Sequence, residues 1–326
     1  MHTKEYDMPD PNVLLIGCGG IGGVHLERWT KCPGAKVLAV CDTDAVAAQK
    51  AADQVGAAAF TDIAEALKTP GLTVADICTP PVGHTEAALA AIGAGLHVLC
   101  EKPLARTPHE AQQIYHAAAA AQRLLMTAFC HRFEPGIVYA KGLLEEGKLG
   151  SLVMIRNRFS GLFTGVENRW FSKKAVAGGG TLLDTAIHSI DIYRFLAGEV
   201  VSVSGKVTTH IPGIDVEDTA IVLLQAESGA LGVIEASWAT PGGRNIVEIY
   251  GTAGACFVDY NDGSLTVHDA STGATETVDP GAGDRFQSEV NHFAECVRTG
   301  TPPAVTGHDG LRAVEIAAEV YAQNGL

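Results

Sequence analysis

The chain has 326 residues, of which 47% are hydrophobic and 18% are charged. That composition supplies a buried core and excludes a disordered chain. Lys and Arg total 23 against 37 Asp and Glu, a net charge of −14. Nucleic acids and anionic membrane surfaces are therefore not expected partners, because their binding depends on basic side chains that neutralise phosphates.

Neither a secretory nor a membrane-spanning segment is expected from the sequence. The polar start, Met1–Pro11, lacks the apolar stretch of a signal peptide, and no run approaches the roughly 18 apolar residues of a membrane helix. The eight cysteines include no C-x-x-C pair, which argues against a zinc site and indicates reduced, structural cysteines. We expect a cytoplasmic protein without a bound metal.

The first 130 residues alternate short apolar runs with helical patterns. The runs predict strands at Val13–Ile16, Val37–Cys41, Val74–Cys78, His97–Cys100 and Leu125–Phe129. The intervening patterns predict a turn followed by a helix over Gly17–Thr30, and helices at Asp44–Gln54, Thr85–Ala94 and Pro108–Ala121. Continuous apolar strands joined by helices are typical of a parallel sheet covered on both faces. Residues 1–130 are therefore predicted to form a doubly wound α/β domain.

The pattern changes after residue 130. Val201–Thr208 alternates apolar and polar residues, as in a strand with one buried and one solvated face. Further elements are predicted as strands at Thr219–Ala226, Leu231–Trp238 and Ile246–Tyr250, and as helices at Phe286–Arg298 and Leu311–Tyr321. Residues 131–326 are predicted to form a second, mostly antiparallel α+β domain.

A glycine-rich segment, Gly17-Cys18-Gly19-Gly20-Ile21-Gly22, has the pattern G-x-G-x-x-G between the first predicted strand and its helix. In a dinucleotide-binding loop the first glycine permits the tight turn, the second lets a pyrophosphate approach the backbone, and the third allows close helix–strand packing. The pyrophosphate then lies on the free N–H groups of the helix start. The alternative is a glycine turn without a ligand.

Asp42 ends the second predicted strand, about 20 residues after the glycine loop, where an acidic side chain accepts hydrogen bonds from the adenosine ribose. Thr43 and Asp44 follow, with no adjacent Lys or Arg. A 2′-phosphate would face two carboxylates, so the sequence favours NAD over NADP. The alternative role for Asp42 is to cap the next helix.

Glu101-Lys102-Pro103 follows the strand His97–Cys100, at the edge where doubly wound sheets bind ligands. Pro103 biases Lys102 away from helical geometry. A cationic nicotinamide nearby would lower the lysine pKa, which suits a general acid or base; the alternative is a solvated loop lysine. His84, after the preceding strand, could either contact the cofactor or start its helix.

The segment Gly178–Asp191 predicts a helix that is apolar over most of its circumference. At about 100° per residue, Asp184, His188 and Asp191 fall on one narrow polar stripe. Such a stripe indicates the lining of a pocket, where an imidazole can act as a base beside a carboxylate; a narrow solvent-exposed stripe is the alternative. A metal site made of these three residues lacks a clear further ligand, so none is predicted.

Taken in order, these motifs resemble those of the glucose–fructose oxidoreductase / inositol dehydrogenase / MocA family over nearly the whole chain. The matching residues are Gly17, Gly19 and Gly22, then Glu101-Lys102-Pro103, then Gly178–Gly180 with Asp184 and His188. The resemblance implies an N-terminal Rossmann domain and a C-terminal α/β domain with a large, open sheet that mediates oligomers. It also implies an NAD(P)-dependent oxidoreductase of sugars or cyclitols, with NAD preferred here.

The resemblance also implies roles for individual residues. Catalytic roles fall to Lys102, Asp184 and His188. Cofactor contacts fall to Gly17, Gly19, Gly20, Ile21, Gly22, Asp42, Thr79, Pro81, His84, Glu101 and Lys102. Substrate contacts fall to Lys102, His131, Arg169, Asp184 and His188. Many relatives have Trp-Arg where this chain has Arg169-Trp170, so a cofactor contact from Trp170 is left open.

The expected function is oxidation of a secondary alcohol of a sugar or cyclitol, with hydride transfer to nicotinamide and Lys102 or His188 as the acid–base group. One alternative is an NAD-dependent enzyme that cleaves glycosides through transient oxidation. Another is a non-catalytic NAD-binding regulator. Apolar residues on both faces of Thr219–Ala226 predict a covered sheet and hence a homo-oligomer, either a dimer or a tetramer.

Overall fold

The computed structural model describes residues 10–326, which divide into two compact units. The first comprises the described residues up to Cys130 together with Asp284–Arg312, and the second comprises His131–Gly283 with Ala313–Leu326. No helix within residues 10–326 is long and apolar enough to span a membrane. The expectation that the start of the chain holds no signal peptide concerns residues that, except for Asp10 and Pro11, lie outside the described range.

The chain begins with the elements β1 (Asn12–Ile16), α1 (Gly20–Lys31), β2 (Lys36–Cys41), α2 (Ala45–Val55), β3 (Ala58–Phe60), α3 (Ile63–Ala66), β4 (Val74–Ile77), α4 (His84–Gly93), β5 (His97–Glu101), α5 (Pro108–Ala120) and β6 (Leu125–Ala128). It continues with α6 (Pro135–Glu145), β7 (Leu152–Ser160), α7 (Lys174–Ala177), α8 (Thr181–Asp184), α9 (Ala186–Ala197), β8 (Val200–Thr208), β9 (Thr219–Ala226), β10 (Leu231–Ser237), β11 (Asn245–Gly251), β12 (Gly254–Asp259), β13 (Leu265–Asp269) and β14 (Thr275–Val278). Two further helices follow, α10 (Arg285–Thr299) and α11 (Gly307–Gln323).

The first unit is built on a six-stranded sheet in the order β3-β2-β1-β4-β5-β6, with all neighbouring strands parallel. β4 and β5 are buried along their whole length, as expected for apolar strands covered on both faces. The strand order reverses between β1 and β4, and ligands bind at such a reversal, beyond the carboxyl ends of the strands. The predicted doubly wound parallel sheet is confirmed.

The second unit is built on an eight-stranded sheet in the order β14-β13-β12-β11-β7-β10-β9-β8. Its neighbouring strands are antiparallel except for β7 and β10, which are parallel. Burial alternates along β9, so Val222 and Leu224 face the core whereas Ile221 and Leu223 are exposed. The mostly antiparallel sheet is confirmed, while β7, β12, β13 and β14 are strands that the sequence pattern did not indicate.

Helix α10 departs from the prediction that residues 131–326 form one domain, because residues 284–312 belong to the first unit. The helix packs against α1 and buries Val290 and Phe293. Near its end, Arg298 pairs with Asp10 at 2.8 Å. An amphipathic pattern shows that a helix needs an apolar surface to pack on, but it does not identify which of two domains provides that surface.

Candidate active site

The glycine loop after β1 is folded so tightly that two of its positions exclude any side chain. Gly17 has a φ of +95°, and a β-carbon there would lie 2.6 Å from the carbonyl carbon of Cys78. A β-carbon on Gly22 would collide with the carbonyl oxygen of Gly17. At Gly19, by contrast, a β-carbon would meet nothing within 4 Å, so the backbone there is open to approach by a ligand, as a pyrophosphate requires.

The glycine loop holds the side chain of Asp42, which is predicted to bind the adenosine ribose. Its Oδ2 accepts the N–H of Cys18 at 2.7 Å, and its Oδ1 accepts the N–H of Asp44 at 2.9 Å. The cap of α2 is Asp44, whose Oδ1 accepts the N–H of Val46 at 2.8 Å and that of Ala47 at 3.3 Å. The capping alternative for Asp42 is therefore wrong, and its carboxylate lies fixed at the carboxyl end of β2.

The residues at this edge fit a dinucleotide. α1 begins at Gly20 with no side chain capping its N–H groups, which leaves them available to an anion. Gly19 gives that anion room, and the carboxylate of Asp42 offers an acceptor to ribose hydroxyls. A pocket of about 370 Å³ lies beside the loop, between α1 and α2.

The loops after β4 and β5 are tied together by His84. This buried side chain begins α4, with Nδ1 at 2.9 Å from the carbonyl oxygen of Pro103 and Nε2 at 2.8 Å from that of Thr79. Burial lowers the pKa of His84. Both ring nitrogens of His84 are thus occupied by backbone carbonyl groups. This favours the alternative in which His84 starts its helix over the one in which it contacts the cofactor. Pro81, another predicted contact, is also buried.

Glu101 and Lys102 differ in their surroundings although they are adjacent. Glu101 is buried, with Oε1 at 3.2 Å from Nε2 of His25, and its Oε2 accepts the N–H of Lys102 at 2.9 Å. Lys102 is partly exposed. The structure therefore surrounds the Glu101 carboxylate with protein groups, whereas Lys102 lies at the carboxyl end of β5, where its predicted role requires it.

In the second unit, the predicted polar stripe is narrower than the sequence suggested. The helix is interrupted at Thr185, between α8 and α9. Asp184 and His188 are partly exposed among buried neighbours, as a pocket-lining pair should be. Asp191 is fully buried and holds a bidentate ion pair with Arg132, at 2.6 and 2.8 Å. The placement of Asp191 on the exposed stripe is therefore wrong, because its carboxylate compensates a buried guanidinium.

His131, a predicted substrate contact, lies against His188 with ring centroids 4.4 Å apart. Its Nδ1 lies 3.2 Å from the hydroxyl oxygen of Tyr260, and the Phe159 ring is 5.2 Å away. Sequence reasoning missed Tyr260 and Phe159, which lie on or beside strands of the large sheet and carry no local motif. The rings of His131, Tyr260 and Phe159 form one cluster, and His131 joins that cluster to the predicted catalytic His188.

The glycine run Gly178–Gly180 is explained by packing. A β-carbon on Gly180 would collide with the backbone of Glu217, and one on Gly179 with the hydroxyl of Tyr321. The Glu217 carboxylate accepts the N–H of Gly180 at 3.0 Å and of Leu182 at 2.9 Å, and the Tyr321 hydroxyl at 2.8 Å. Burial raises the pKa of Glu217. Burial and the neighbouring Glu217 raise that of Tyr321.

Arg169, a predicted substrate contact, and its neighbour Trp170 lie on the surface of the second unit. Arg169 is exposed, and its guanidinium carbon lies 6.0 Å from the centroid of the Phe171 ring. Trp170 is 46% exposed and packs edge-on against Phe171. Behind them, Phe171 contacts the buried Trp238. The role of Arg169 in substrate binding stays a prediction.

The glycine loop allows a first test, because a β-carbon would collide with the backbone at Gly22 but not at the adjacent Gly23. We expect Gly22→Ala to weaken NADH binding about tenfold or more, since an overpacked contact costs roughly 1–3 kcal/mol and here it displaces the Gly17 carbonyl. Gly23→Ala is the matched control, because its β-carbon would meet nothing within 4 Å. Fluorescence titration with NADH measures both. Equal affinities of the two variants would contradict the packing role of Gly22.

Comparison with known proteins supports this geometry over nearly the whole chain. Residues 11–129 match the model of the oxidoreductase family with an NAD-binding Rossmann fold, and residues 137–257 match that of the GFO/IDH/MocA C-terminal domain. A levoglucosan dehydrogenase from Pseudarthrobacter phenanthrenivorans is 32% identical over 78% of this chain and 74% of its own. The scyllo-inositol 2-dehydrogenase (NAD(+)) of Bacillus subtilis is 29% identical over 96% and 94%.

A solved structure agrees with these relatives. A levoglucosan dehydrogenase in complex with NADH and levoglucosan superimposes with a TM-score of 0.91 at 27% identity, covering 97% of each chain. The match covers residues of both units. The chain belongs to the GFO/IDH/MocA family of oxidoreductases, with an NAD-binding Rossmann domain.

Proposed function

We propose that this protein is an NAD-dependent dehydrogenase that oxidises a secondary alcohol of a sugar or cyclitol. The observation that carries the proposal is the pair Asp184 and His188, a carboxylate and an imidazole that are partly exposed on an otherwise buried helical segment. Such a pair can bind a hydroxyl group and accept its proton. The names of relatives that act on levoglucosan and on scyllo-inositol support the substrate class.

The first unit contributes the cofactor site and Lys102. Bound NAD supplies the hydride acceptor. Gly19 and the uncapped N–H groups of α1 would receive its pyrophosphate, and Asp42 would bind its ribose hydroxyls. Lys102, partly exposed at the end of β5, holds or accepts the proton of the substrate hydroxyl as the acid–base group.

The second unit contributes the substrate-binding groups. Asp184 accepts a hydrogen bond from a substrate hydroxyl, and His188 donates to or accepts from the same group. His131 and Tyr260, linked at 3.2 Å, offer further polar atoms, while the Phe159 ring supports the His131 ring. The pH profiles of Lys102→Met and His188→Gln distinguish which of the two side chains removes the proton.

The function is tested by measuring NAD reduction at 340 nm with a panel of aldoses, inositols and anhydrosugars. We expect turnover with at least one member. We expect Lys102→Met to reduce kcat by about 100- to 10,000-fold, the range that a positioned acid–base group contributes, while NADH affinity changes little. Lys68→Met is the matched control, because Lys68 is exposed and pairs with Glu65 at 2.6 Å on the surface of the first unit.

The outcomes separate this function from its rivals. Release of a leaving group from a glycoside without net NADH would identify the transient-oxidation enzyme. Tight NADH binding with no turnover on any member of the panel would favour the regulator and contradict the proposal. Unchanged turnover in Lys102→Met would remove Lys102 from the mechanism, but not the dehydrogenase function itself.

Cofactor preference depends on Asp42. We expect Asp42→Ser to weaken NAD binding about 10- to 100-fold, as the loss of hydrogen bonds to a charged acceptor costs roughly 1.5–3 kcal/mol, and to narrow the preference for NAD over NADP. Asp269→Ser is the matched control, because Asp269 is an exposed residue at the end of β13 in the second unit, whose carboxylate accepts the N–H groups of Ser271 and Thr272. The ratio of kcat/KM for NAD and NADP measures the effect. A ratio unchanged by Asp42→Ser would contradict this role.

We also propose that the open face of the large sheet is covered by a second copy of the chain. This face carries exposed apolar side chains at Ile221, Leu223 and Leu231, each about half exposed. Beside them, Arg156 pairs with Glu235 at 2.6 Å, across neighbouring strands. A face that holds apolar groups and both signs of charge can complement itself in a symmetric pair.

We expect Leu223→Lys to shift the protein toward the monomer, because it places a charge in an apolar contact. Val46→Lys is the matched control, since Val46 is 76% exposed on α2 of the first unit. Sedimentation equilibrium measures the mass of each, and circular dichroism checks the fold. A wild-type monomer, or equal masses for Leu223→Lys and wild type, would contradict the proposal.

The proposed compartment is the cytoplasm. All eight cysteines lie among the described residues and are free thiols, and seven of them are buried. Reduced cysteines are typical of proteins kept in a reducing environment, which supports the assignment.

A further inference from the structure

A second set of ionisable side chains lies entirely inside the first unit, apart from the groups of the proposed mechanism. His25 of α1, Asp76 of β4 and Glu289 of α10 are fully buried, and Glu101 of β5 is 6% exposed. Buried charges are costly unless they are paired. The four groups must therefore pair or neutralise their charges within the cluster.

His25 is bound firmly on one side by Asp76. Its Nδ1 lies 3.1 and 2.9 Å from the two oxygens of that carboxylate. The indole N–H of Trp29, one turn further along α1, donates to the same carboxylate at 2.7 Å. Because a carboxylate only accepts hydrogen bonds, Nδ1 of His25 carries a hydrogen.

On its other side, His25 faces Glu101. Nε2 lies 3.2 Å from Oε1 of Glu101, an ion-pair contact without the alignment of a full hydrogen bond. The second oxygen of Glu101 accepts the N–H of Lys102 at 2.9 Å. A neutral ring with hydrogen on Nδ1 would turn the lone pair of Nε2 toward a carboxylate, which is repulsive. A ring protonated on both nitrogens is attracted to both carboxylates.

We propose that His25, held as a cation between Asp76 and Glu101, is the positioning residue that fixes Lys102 for proton transfer. His25 does not touch substrate or cofactor in this account. It connects the helix of the glycine loop to the strand end that carries the proposed acid–base group, and acts through the Glu101 carboxylate. The kinetic part of this inference rests on the proposed dehydrogenase function.

The surrounding charges agree with a cationic His25. Burial opposes the charged imidazole, but the interactions with Asp76 and Cys78 together raise the pKa of His25 well above 6.5. Glu289 faces the cluster from α10 with no hydrogen-bond partner among the described residues on either oxygen. Burial raises its pKa well above 4.5, against the opposing influence of His25 and Arg285. A protonated, neutral Glu289 leaves one cation between two anions.

A metal site made of His25, Asp76 and Cys78, whose ligand atoms lie within 4.8 Å of one another, is the competing account. Burial and the neighbouring Asp76 raise the pKa of Cys78, so its sulfur stays a thiol rather than the thiolate that metals bind. Both oxygens of Asp76 are already engaged by His25 and Trp29. The observations therefore favour an ion-pair cluster.

The kinetic test compares His25→Gln with Trp29→Phe. Both remove a donor from Asp76 inside the same cluster, but only the first releases Glu101. We expect His25→Gln to lower kcat about 10- to 100-fold and to shift the pH profile of kcat/KM, with the KM for NAD changed less than about threefold, and Trp29→Phe to change kcat less than about threefold. His25→Gln added to Glu101→Gln should cost little more than Glu101→Gln alone, because the two residues act as a unit.

A second test needs no activity and so separates this inference from the proposed function. Nitrogen-15 NMR of the histidine rings should show both nitrogens of His25 protonated at pH 7, and Glu101→Gln should lower the His25 pKa by removing an anion. The stabilisation of wild type over His25→Gln should be present below pH 6.5 and lost as pH rises through the raised folded-state pKa of His25, because the folded state binds that proton more tightly.

Two results would overturn the inference. One is a neutral His25 ring at pH 7 in the NMR spectrum. The other is a loss of kcat in Trp29→Phe as large as that in His25→Gln, which would reduce His25 to a general packing role. A third result would separate the two proposals. If wild type oxidised no polyol, the proposed function would fail. If His25 was nevertheless cationic, with a pKa lowered by Glu101→Gln, the charge arrangement around Lys102 would stand.

Discussion

Much of this molecule depends on one close approach, between the carbonyl oxygen of Gly17 and the α-carbon of Gly22. The contact leaves no room for a side chain, so β1 passes directly into α1 while the backbone after β4 closes over the turn. Asp42 then reaches back from β2 to bind the loop at Cys18. The shape of the cofactor site is therefore set by this packing. Its capacity to bind an anion comes from the N–H groups at the start of α1, which no side chain caps.

In the second unit, glycines make room for other parts of the protein rather than for a ligand. Gly179 and Gly180 admit the side chain of Tyr321 and the backbone of Glu217, whose carboxylate satisfies the N–H groups where α8 begins. One helix start in this chain is therefore closed by a buried carboxylate, and that of α1 is left open to an anion. Two glycine-rich segments with similar composition differ in function because of what packs against them.

The sequence predicted the elements whose pattern is local and strong, such as β1, β4, β5 and the alternating β8. It missed β7 because apolar and polar residues do not alternate along that strand: Asn157 is buried on one face, whereas Leu152 and Met154 lie partly exposed on the other. Lys102, Asp184 and His188 were recognisable from short motifs. Glu217 and Tyr260 were not, because their roles arise from contacts with residues far away in the sequence, which only the tertiary fold brings together.

The return of residues 284–312 to the first unit has a consequence for synthesis of the chain. A ribosome releases the six strands of the first sheet early, but the helix that covers α1 and buries Phe293 emerges only after almost the entire chain has been made. Until then the nascent first unit exposes apolar surface, the condition under which incompletely folded chains aggregate. The N-terminal unit is therefore first in sequence and among the last parts of the protein to finish folding.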